Sequence, residues 1–221
     1  MEILKKTITK ENNEILLLGN ANHKKTLVIG VFHGDEPQGK FLIENYIKNN
    51  PKSPLLFIPC LNPDGLAKNT RTNANGVDLN RNFPTENWEL TERTLDSFNE
   101  NPALTSLNGK KNEFFGGEIS ASEIETQFLI DVIEEYKPQL ILTLHAPFKV
   151  VNYDGNAREI SKKISKIINY PVEENIGYPT PGSFGTYCGV ERNIPTITLE
   201  LDEICPIETL VEPVNKIFSL L

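Results

Sequence analysis

The sequence predicts a single α/β domain in which a mixed, mostly parallel central sheet is flanked by helices. Short apolar segments alternate with amphipathic segments along the chain, as in sheets whose strands are joined by helices. A length of 221 residues suits one domain with a sizeable core, and no repeat, linker or low-complexity tract divides the chain. We therefore expect residues 1–221 to fold as one unit.

The first part of the chain predicts a hairpin, two buried strands and a helix. Residues 2–9 and 14–18 predict two strands joined by a polar turn. Residues 26–32 and 55–60 are short apolar runs, which are typical of strands buried on both faces of a sheet. Between them, residues 37–48 carry apolar side chains at helical spacing.

A long polar stretch, residues 62–117, follows and shows little regular pattern. It begins with Asn62-Pro-Asp-Gly65, which predicts a sharp turn after the second buried strand. A loop of this length inside a compact domain is usually functional.

The rest of the chain again predicts alternating helices and strands. Ser120-Ala-Ser-Glu123 resembles a capping box that opens a helix ending near Tyr136, because Pro138 follows. Further strands are predicted at residues 139–144, 149–153 and 196–201, and further helices at residues 157–168, 183–192 and 207–221.

Polar residues follow several of the predicted strands. His33, Asn62 and His145 each lie just after a strand, and Glu200 lies at the end of residues 196–201. Ligands of open α/β sheets bind beyond the carboxyl ends of the strands. These distant residues can therefore share one crevice.

The composition excludes several classes of partner. A net charge of -8 with scattered basic residues argues against a nucleic-acid surface. The N-terminus lacks the apolar stretch of a signal peptide, and no run is long enough to span a membrane, so we expect a cytoplasmic protein that binds no membrane. The three cysteines are too few and too far apart for a disulfide framework.

Three residues suggest a metal site. His33, Glu36 and His145 supply two imidazoles and a carboxylate, which leaves a fourth zinc position open for water, as in catalytic sites. His33 alone would be read as a structural histidine, and the three-residue spacing to Glu36 is a weak signal by itself. His23 lies in a polar turn and is expected at the surface, and Asp35 is expected to face solvent or to support a ligand.

A proton acceptor and an orienting carboxylate are also needed near such a metal. Glu200 is a carboxylate within an apolar strand, and it could act as the general base or simply face solvent. Asp78 could orient a ligand imidazole or cap the turn that follows Gly76. The pattern leaves both pairs of alternatives open.

The Asn80-Arg81 pair could bind a substrate carboxylate. The planar guanidinium of Arg81 matches a carboxylate, and Asn80 can add an amide donor. Arg71 could stabilise the oxyanion that develops during water attack. Tyr178 lies in a Gly/Pro-rich loop that could move over the pocket. Taken singly, each arginine is more often a surface cation.

Together these motifs resemble the zinc carboxypeptidase family, the carboxypeptidase A-like metallopeptidases. The resemblance implies one Zn²⁺ ion held by His33, Glu36 and His145, with Glu200 as general base and Arg71 as oxyanion stabiliser. It also implies that Asn80 and Arg81 clamp the terminal carboxylate and that Tyr178 is a mobile substrate-binding residue. The matching segments are His33-x-x-Glu36, Asn62-Pro-Asp-Gly65, Arg71, Gly76-Val-Asp78-x-Asn80-Arg81-Asn-Phe, Leu144-His145, Tyr178 and Leu199-Glu200-Leu201.

Within that family the chain looks closest to compact cytosolic members that cleave the γ-D-glutamyl–diaminopimelate bond of recycled cell-wall peptides. The resemblance implies a zinc-peptidase domain over residues 1–221 and, as partner, a small peptide substrate with a free carboxylate. The zwitterionic head of diaminopimelate would need an acid and a base in the pocket, and the candidates are Asp202, Glu203, Lys149 and Arg192.

Two other functions remain open from the sequence. An N-acyl amino acid deacylase of the aspartoacylase or succinylglutamate desuccinylase type has similar His-x-x-Glu and Asp-Leu-Asn-Arg motifs. The Asn62-Pro-Asp-Gly65 turn and the Tyr178 loop favour the peptidase. A non-catalytic binding module on the same fold is the second alternative, but no expected ligand or base is missing from the chain.

Overall fold

The computed structural model describes residues 1–20, 25–90, 114–174 and 178–221. Eight strands in these residues form one sheet: β1 (Glu2–Ile8), β2 (Glu14–Gly19), β3 (Thr26–Gly30), β4 (Leu56–Ile58), β5 (Leu140–His145), β6 (Val150–Asp154), β7 (Val172–Glu173) and β8 (Thr196–Glu200). The described α-helices are α1 (Gln38–Asn49), α2 (Pro63–Lys68), α3 (Ile124–Tyr136), α4 (Arg158–Ile168) and α5 (Glu208–Leu220). Among the described helices, none has both the length and the apolar character that crossing a membrane requires.

The sheet is mixed and mostly parallel, as the sequence predicts. Its strand order is β1-β2-β4-β3-β5-β8-β6-β7. The four central strands, β4, β3, β5 and β8, run parallel, whereas β2 joins them at one side and β6 at the other in antiparallel pairing. All four central strands therefore end at the same edge of the sheet.

Apolar cores cover both faces of the sheet, which explains the continuous apolar runs of the central strands. On one face, Val28 of β3 belongs to a cluster that also contains Tyr46 of α1 and Phe218 of α5. On the other face, Leu27 and Ile29 of the same strand belong to a cluster that includes residues of α3. Successive side chains of a strand point to opposite faces, so β3 contributes to both cores.

The predicted hairpin, buried strands and terminal helix are confirmed, but the prediction for the start of the polar stretch was wrong. Residues 63–68 form α2 rather than a turn. Asn62 caps this helix through its side-chain oxygen, which accepts from the Gly65 N–H, and Pro63 stands in the first turn where no N–H is needed. Residues 91–113 of the stretch lie outside the described residues.

Two further local predictions need correction. Helix α3 begins only at Ile124, and the Glu123 side chain makes no cap bond, so Ser120 and Glu123 do not form a capping box. Glu123 instead accepts hydrogen bonds from the side chains of Asn73 and Asn75. The helix predicted at 183–192 is shorter, a π-helical turn at Thr186–Val190.

Candidate active site

The eight predicted site residues line one cavity at the carboxyl ends of β3, β5 and β8. The cavity has a volume of about 280 Å³. Ligand pockets usually measure roughly 300–1,000 Å³, so this one suits a small substrate. The eight residues are His33, Glu36, Arg71, Asn80, Arg81, His145, Tyr178 and Glu200.

His33, Glu36 and His145 present three facing donor atoms. The Nδ1 atoms of the two imidazoles are 3.3 Å apart, and each lies within 3.0 Å of a carboxylate oxygen of Glu36. All three side chains are buried. The His145 ring also stacks on Phe32, with ring centroids 5.3 Å apart, which holds the imidazole in place.

The turn that carries His33 and Glu36 is held by the N-terminal end of α2. The Asn62 side chain donates to the carbonyl of Phe32, and its backbone N–H donates to the carbonyl of Val31. A Cβ atom added to Gly34 would lie only 2.0 Å from the backbone carbon of Gly65. The Asn-Pro-Asp-Gly motif therefore supports the ligand turn by close backbone contact.

Asp78 performs both of the roles that the sequence left open. Its Oδ1 atom lies 3.2 Å from His33 Nε2 and accepts the backbone N–H of Asn80 at 2.8 Å. Its Oδ2 atom accepts from Arg71 Nε at 3.1 Å. Asp78 thus orients an imidazole, caps the turn at Leu79–Arg81 and anchors a guanidinium.

These contacts favour positive charge between the three donor atoms. Arg71 and the His33 imidazole keep the pKa of Asp78 well below its usual range although burial opposes this, so Asp78 is an acceptor and His33 donates through Nε2–H. Without a metal, His33 Nδ1 donates a proton to the nearest Glu36 oxygen, 2.8 Å away. When His33 loses this proton, its Nδ1 lone pair, a Glu36 oxygen and the Nδ1 of His145 face one another, and a metal ion bound between them would remove their repulsion.

The pKa values of these groups show the same need for positive charge. Burial and the Arg71 guanidinium lower the pKa of His33, but the carboxylates of Glu36 and Asp78 outweigh them and raise it to about 9. Burial lowers the pKa of His145. Two nitrogen donors and one carboxylate match the ligands of a zinc ion, so these residues fit the metal.

Glu200 lies beside this group at the end of β8, next to His145 in the parallel pairing of β5 and β8. The side chain is buried, and its Oε2 atom has no hydrogen-bond partner among the described residues. Burial, together with the nearby Glu36 carboxylate, raises the pKa of Glu200 to about 8. A buried carboxylate with a free oxygen is well suited to accept a proton.

Asn80 and Arg81 present their donors to the cavity in fixed positions. The Asn80 side-chain oxygen accepts the backbone N–H of Phe184 at 2.9 Å, which leaves its amide nitrogen to donate to a ligand. Arg81 is only 4% exposed, and its guanidinium has no carboxylate within ion-pair distance among the residues that the structure describes. A buried guanidinium without a counter-ion is a binding site for an anion.

Arg71 and Arg81 are stacked against one aromatic ring. The guanidinium carbons lie 5.0 and 5.6 Å from the ring centroid of Phe114. Two cations on one ring gain attraction from its π-electrons and keep a defined separation. The salt bridge to Asp78 additionally keeps Arg71 beside Glu36, whose Oε1 atom is 3.6 Å from its Nη1.

The loop that carries Tyr178 is attached to the Arg81 segment. The ring centroid of Tyr178 lies 6.0 Å from the Arg81 guanidinium carbon, and burial raises the pKa of the tyrosine hydroxyl. The carbonyl of Gly182 accepts the N–H of Phe83, and a Cβ at Gly182 would lie 2.2 Å from the Arg81 carbonyl oxygen. The base of the loop is therefore anchored beside Asn80 and Arg81, the proposed carboxylate clamp.

The structure places the predicted partners for a zwitterionic head elsewhere. None of Asp202, Glu203, Lys149 and Arg192 is among the described residues that line the cavity, and Asp202 pairs with Lys149 at 3.4 Å. The cavity is also lined by two acidic residues that no sequence motif indicated, Asp154 at the end of β6 and Glu174 just after β7. His23 lies outside the described residues, whereas Asp35 is exposed as expected.

Comparison with known proteins agrees with this geometry. Residues 2–178 match the sequence profile of the family described as zinc carboxypeptidase. The chain is 32% identical over 203 residues to murein peptide amidase A of Vibrio campbellii, a match that covers 90% of this chain and 78% of that protein. Murein peptide amidase A of Escherichia coli K12 is also 32% identical, over 190 residues that cover 83% and 74% of the two chains.

Solved structures show the same fold. The crystal structure of murein-tripeptide amidase from Escherichia coli O157 superposes with a TM-score of 0.78 at 26% identity, and the match covers 96% of this chain and 88% of that one. Carboxypeptidase A of Helicoverpa armigera superposes with a TM-score of 0.70 at 15% identity, over 99% and 68% of the two chains. The chain therefore belongs to the zinc carboxypeptidase family and is a metallopeptidase.

Proposed function

We propose that this protein hydrolyses small, carboxylate-ended murein peptides and that its preferred bond is the γ-D-glutamyl–diaminopimelate bond of murein tripeptide. The observation that carries the proposal is that one small cavity holds three candidate metal ligands, a buried carboxylate and a guanidinium. Within the described residues, one oxygen of that carboxylate has no hydrogen-bond partner and the guanidinium has no counter-ion. The names of the relatives at 32% identity support the choice of murein peptides.

The proposed roles follow from these positions. His33, Glu36 and His145 would hold one Zn²⁺ ion, which when bound polarises the scissile carbonyl and acidifies water. Glu200 takes the proton from the attacking water and passes it to the departing amine. A divalent cation nearby would lower the raised pKa of Glu200 and so keep its carboxylate ionised and able to accept the proton.

The remaining residues bind and orient the substrate. Arg81 and the amide nitrogen of Asn80 hold the terminal carboxylate by charge-assisted hydrogen bonds. Arg71, held by Asp78, donates to the oxygen that becomes negative during the attack. Tyr178 covers the bound peptide from the anchored loop and limits the access of water.

We further propose that residues 1–221 act as one catalytic domain in the recycling of cell-wall peptides. The supporting observation is that the three ligands, the base and the clamp come from segments between His33 and Glu200, all attached to one sheet. The cytoplasmic location expected from the sequence stays a prediction.

The test is an assay with L-Ala-γ-D-Glu-diaminopimelate in which the products are identified, with and without a chelator. We expect release of free diaminopimelate, loss of activity with chelator and recovery with zinc. The same assay with N-succinylglutamate tests the deacylase alternative, and selective cleavage of that compound would contradict the proposal. If the zinc-loaded protein binds the tripeptide without turnover, it is a binding module.

A further inference from the structure

One wall of the cavity is a row of polar residues on the β6–β8 pair. In this antiparallel pair, Thr198 is opposite Asn152 and Thr196 is opposite Asp154. Alternate residues of a strand share one face, so Glu200 and Thr198 lie on the same face of β8. The cavity is lined by Glu200, Thr198, Asn152 and Asp154. A wall therefore runs from the general base to Asp154.

The length of this wall calls for a long side chain. Asp154 lies four residues along the pair from the row that contains Glu200. At a strand rise of roughly 3.3 Å per residue, the two rows are about 13 Å apart. A residue whose scissile bond lies beside Glu200 reaches the carboxylate of Asp154 only if its own side chain is long and unbranched.

The backbone around Asp154 leaves room for its carboxylate only because two neighbours are glycines. A Cβ added to Gly185 would lie 2.2 Å from Asp154 Oδ2, and one added to Gly189 would lie 2.3 Å from Asp154 Cβ. Gly185 also lines the cavity. The carboxylate is therefore packed into a recess of the cavity wall rather than lying on an open surface.

Asp154 has no positive partner within the described part of the chain. It takes part in no ion pair or side-chain hydrogen bond there, in contrast to Glu36 at the other end of the cavity and to Asp78 behind His33. Burial alone raises the pKa of Asp154 to about 6, so no neighbouring cation offsets the cost of its charge. A second carboxylate, Glu174, lines the same cavity.

We propose that Asp154 is the specificity-determining residue that binds the side-chain ammonium of a C-terminal diamino acid. The proposal rests on the proposed function, since it takes the cleaved residue to lie between the Arg81 clamp and Asp154. A half-buried carboxylate without a positive partner is stabilised when a cation pairs with it, because an opposite charge nearby favours the ionised form. The cavity thus has positive charge at the clamp and negative charge at its far wall, and it fits a zwitterionic residue.

The residues of this wall indicate that the second carboxylate of diaminopimelate is not needed for substrate binding. Among the described residues that line the cavity, the arginines are Arg71 and Arg81 on the side of the metal site, and the wall around Asp154 carries a second carboxylate, Glu174, but no lysine or arginine. A peptide that ends in lysine offers the same ammonium without the second carboxylate. We therefore infer that lysine-ended and diaminopimelate-ended peptides are both substrates.

The experiment compares three peptides, L-Ala-γ-D-Glu-X, in which X is meso-diaminopimelate, L-lysine or L-norleucine. We expect the wild-type kcat/KM to be roughly 10- to 100-fold higher for the first two, as is typical of a hydrogen-bonded charge pair. Asp154→Asn should reduce both to the norleucine value and leave norleucine unchanged. Glu203→Gln, which removes an exposed acid outside the cavity, is the matched control.

Two results would overturn the inference. If Asp154→Asn lowers kcat/KM equally for all three peptides, Asp154 supports the fold and not the ammonium. If the wild-type enzyme cleaves the diaminopimelate peptide but treats lysine like norleucine, the second carboxylate is recognised after all.

A measurement of ligand binding to the wild-type protein tests the proposal without turnover and without depending on the folding of a variant. Calorimetry of the zinc-loaded wild-type protein should show tighter binding of free L-lysine than of L-norleucine, and equal affinities would contradict the proposal. A parallel series with α-linked L-Ala-L-Ala-X separates the two proposals. If only that series is cleaved, with the same preference for lysine, the murein assignment fails and the role of Asp154 stands.

Discussion

At the scale of single residues, Asp78 shows why roles that look exclusive in sequence can coincide. One carboxylate oxygen accepts hydrogen bonds from the His33 imidazole and the backbone N–H of Asn80, and the other accepts from the Arg71 guanidinium. The side chain is fully buried, so each bond replaces water that the carboxylate has lost. A turn cap and a ligand-orienting group are therefore the same residue because the turn itself lies against the metal site.

Replacing Glu200 by Gln removes the proton acceptor while keeping the size of the side chain. We expect kcat to fall by a factor of roughly 10² to 10⁴, which is the usual contribution of a general base. Zinc content should be unchanged, because Glu200 is not among the three clustered metal-ligand candidates. Stopped-flow or steady-state rates together with metal analysis check this, with Glu203→Gln as control. Full activity of Glu200→Gln would mean that another group accepts the proton.

Glu125 gives a prediction for stability that is separate from catalysis. Its side chain is buried in α3, with one oxygen bound by Asn73 and the other without a partner among the described residues. Burial, the largest influence, raises the pKa of Glu125 to about 7 from 4.5. The folded state therefore binds a proton that the unfolded state has lost between about pH 4.5 and 7, and stability falls as pH rises through that window.

Glu125→Gln should remove this penalty. We expect the free energy of unfolding to rise by up to about 3 kcal/mol at pH 8, and to change little at about pH 3, where the carboxyl is protonated in both states. Urea unfolding at the two pH values measures the difference. Glu134→Gln, on the exposed side of the same helix, is the control. A gain that is equal at both pH values would contradict the explanation.

At the scale of elements, α2 connects two parts of the site that are distant in sequence. Asn62 caps the helix and binds the segment that precedes His33, while Asp64 in its first turn accepts hydrogen bonds from Thr9 and Asn13 of the β1–β2 turn. One short helix therefore attaches the hairpin to the ligand turn. Its six residues would not be helical alone, because short helices depend on tertiary contacts.

Gly34→Ala tests this contact between α2 and the ligand turn. The new Cβ would lie 2.0 Å from the Gly65 backbone carbon, so one of the two backbones must move. We expect a loss of about 3 kcal/mol or more in stability and weaker zinc binding, because the turn also carries His33 and Glu36. Thermal unfolding and metal titration provide the measurement.

The control for that variant is Gly76→Asn. Gly76 has a φ of +75° and open space around it, and asparagine tolerates this conformation better than other residues with a side chain. Its effects on stability and zinc affinity should therefore be small. Normal zinc binding by Gly34→Ala would show that the ligand turn does not depend on its contact with α2.

At the scale of the whole molecule, the candidate metal ligands join two central strands of the sheet. His33 and Glu36 follow β3, and His145 ends β5, its parallel neighbour. A bound ion therefore stabilises the folded chain, because the unfolded chain cannot hold these residues together. It would also remove the repulsion between the facing donor atoms.

Removal of zinc should consequently lower the melting temperature. At a free zinc concentration 100 times the dissociation constant, the ion contributes about 2.7 kcal/mol to stability, and a chelator removes this contribution. Calorimetry with and without chelator measures the shift. In His145→Ala the chelator should have little further effect, and an equally large shift there would place the stabilising ion at another site.

The sequence by itself determined the alternation of strands and helices, the two-faced burial of the central strands and eight of the residues that line the cavity. These features depend on local periodicity, strand ends and short motifs, all of which can be recognised in contiguous residues. His33-x-x-Glu36 and Asn80-Arg81 are examples, since each motif lies within a single turn.

Only the tertiary structure decided which residues form the cavity wall on the β6–β8 pair. The position of Asp154 beside Gly185 depends on the pairing of β6 with β8, and the role of Asn62 depends on the packing of α2 against the turn after β3. Register and packing arise from contacts between residues that are distant along the chain, and a local pattern does not contain them. The candidates Asp202 and Lys149 are an example: they pair with each other and are not among the described residues that line the cavity.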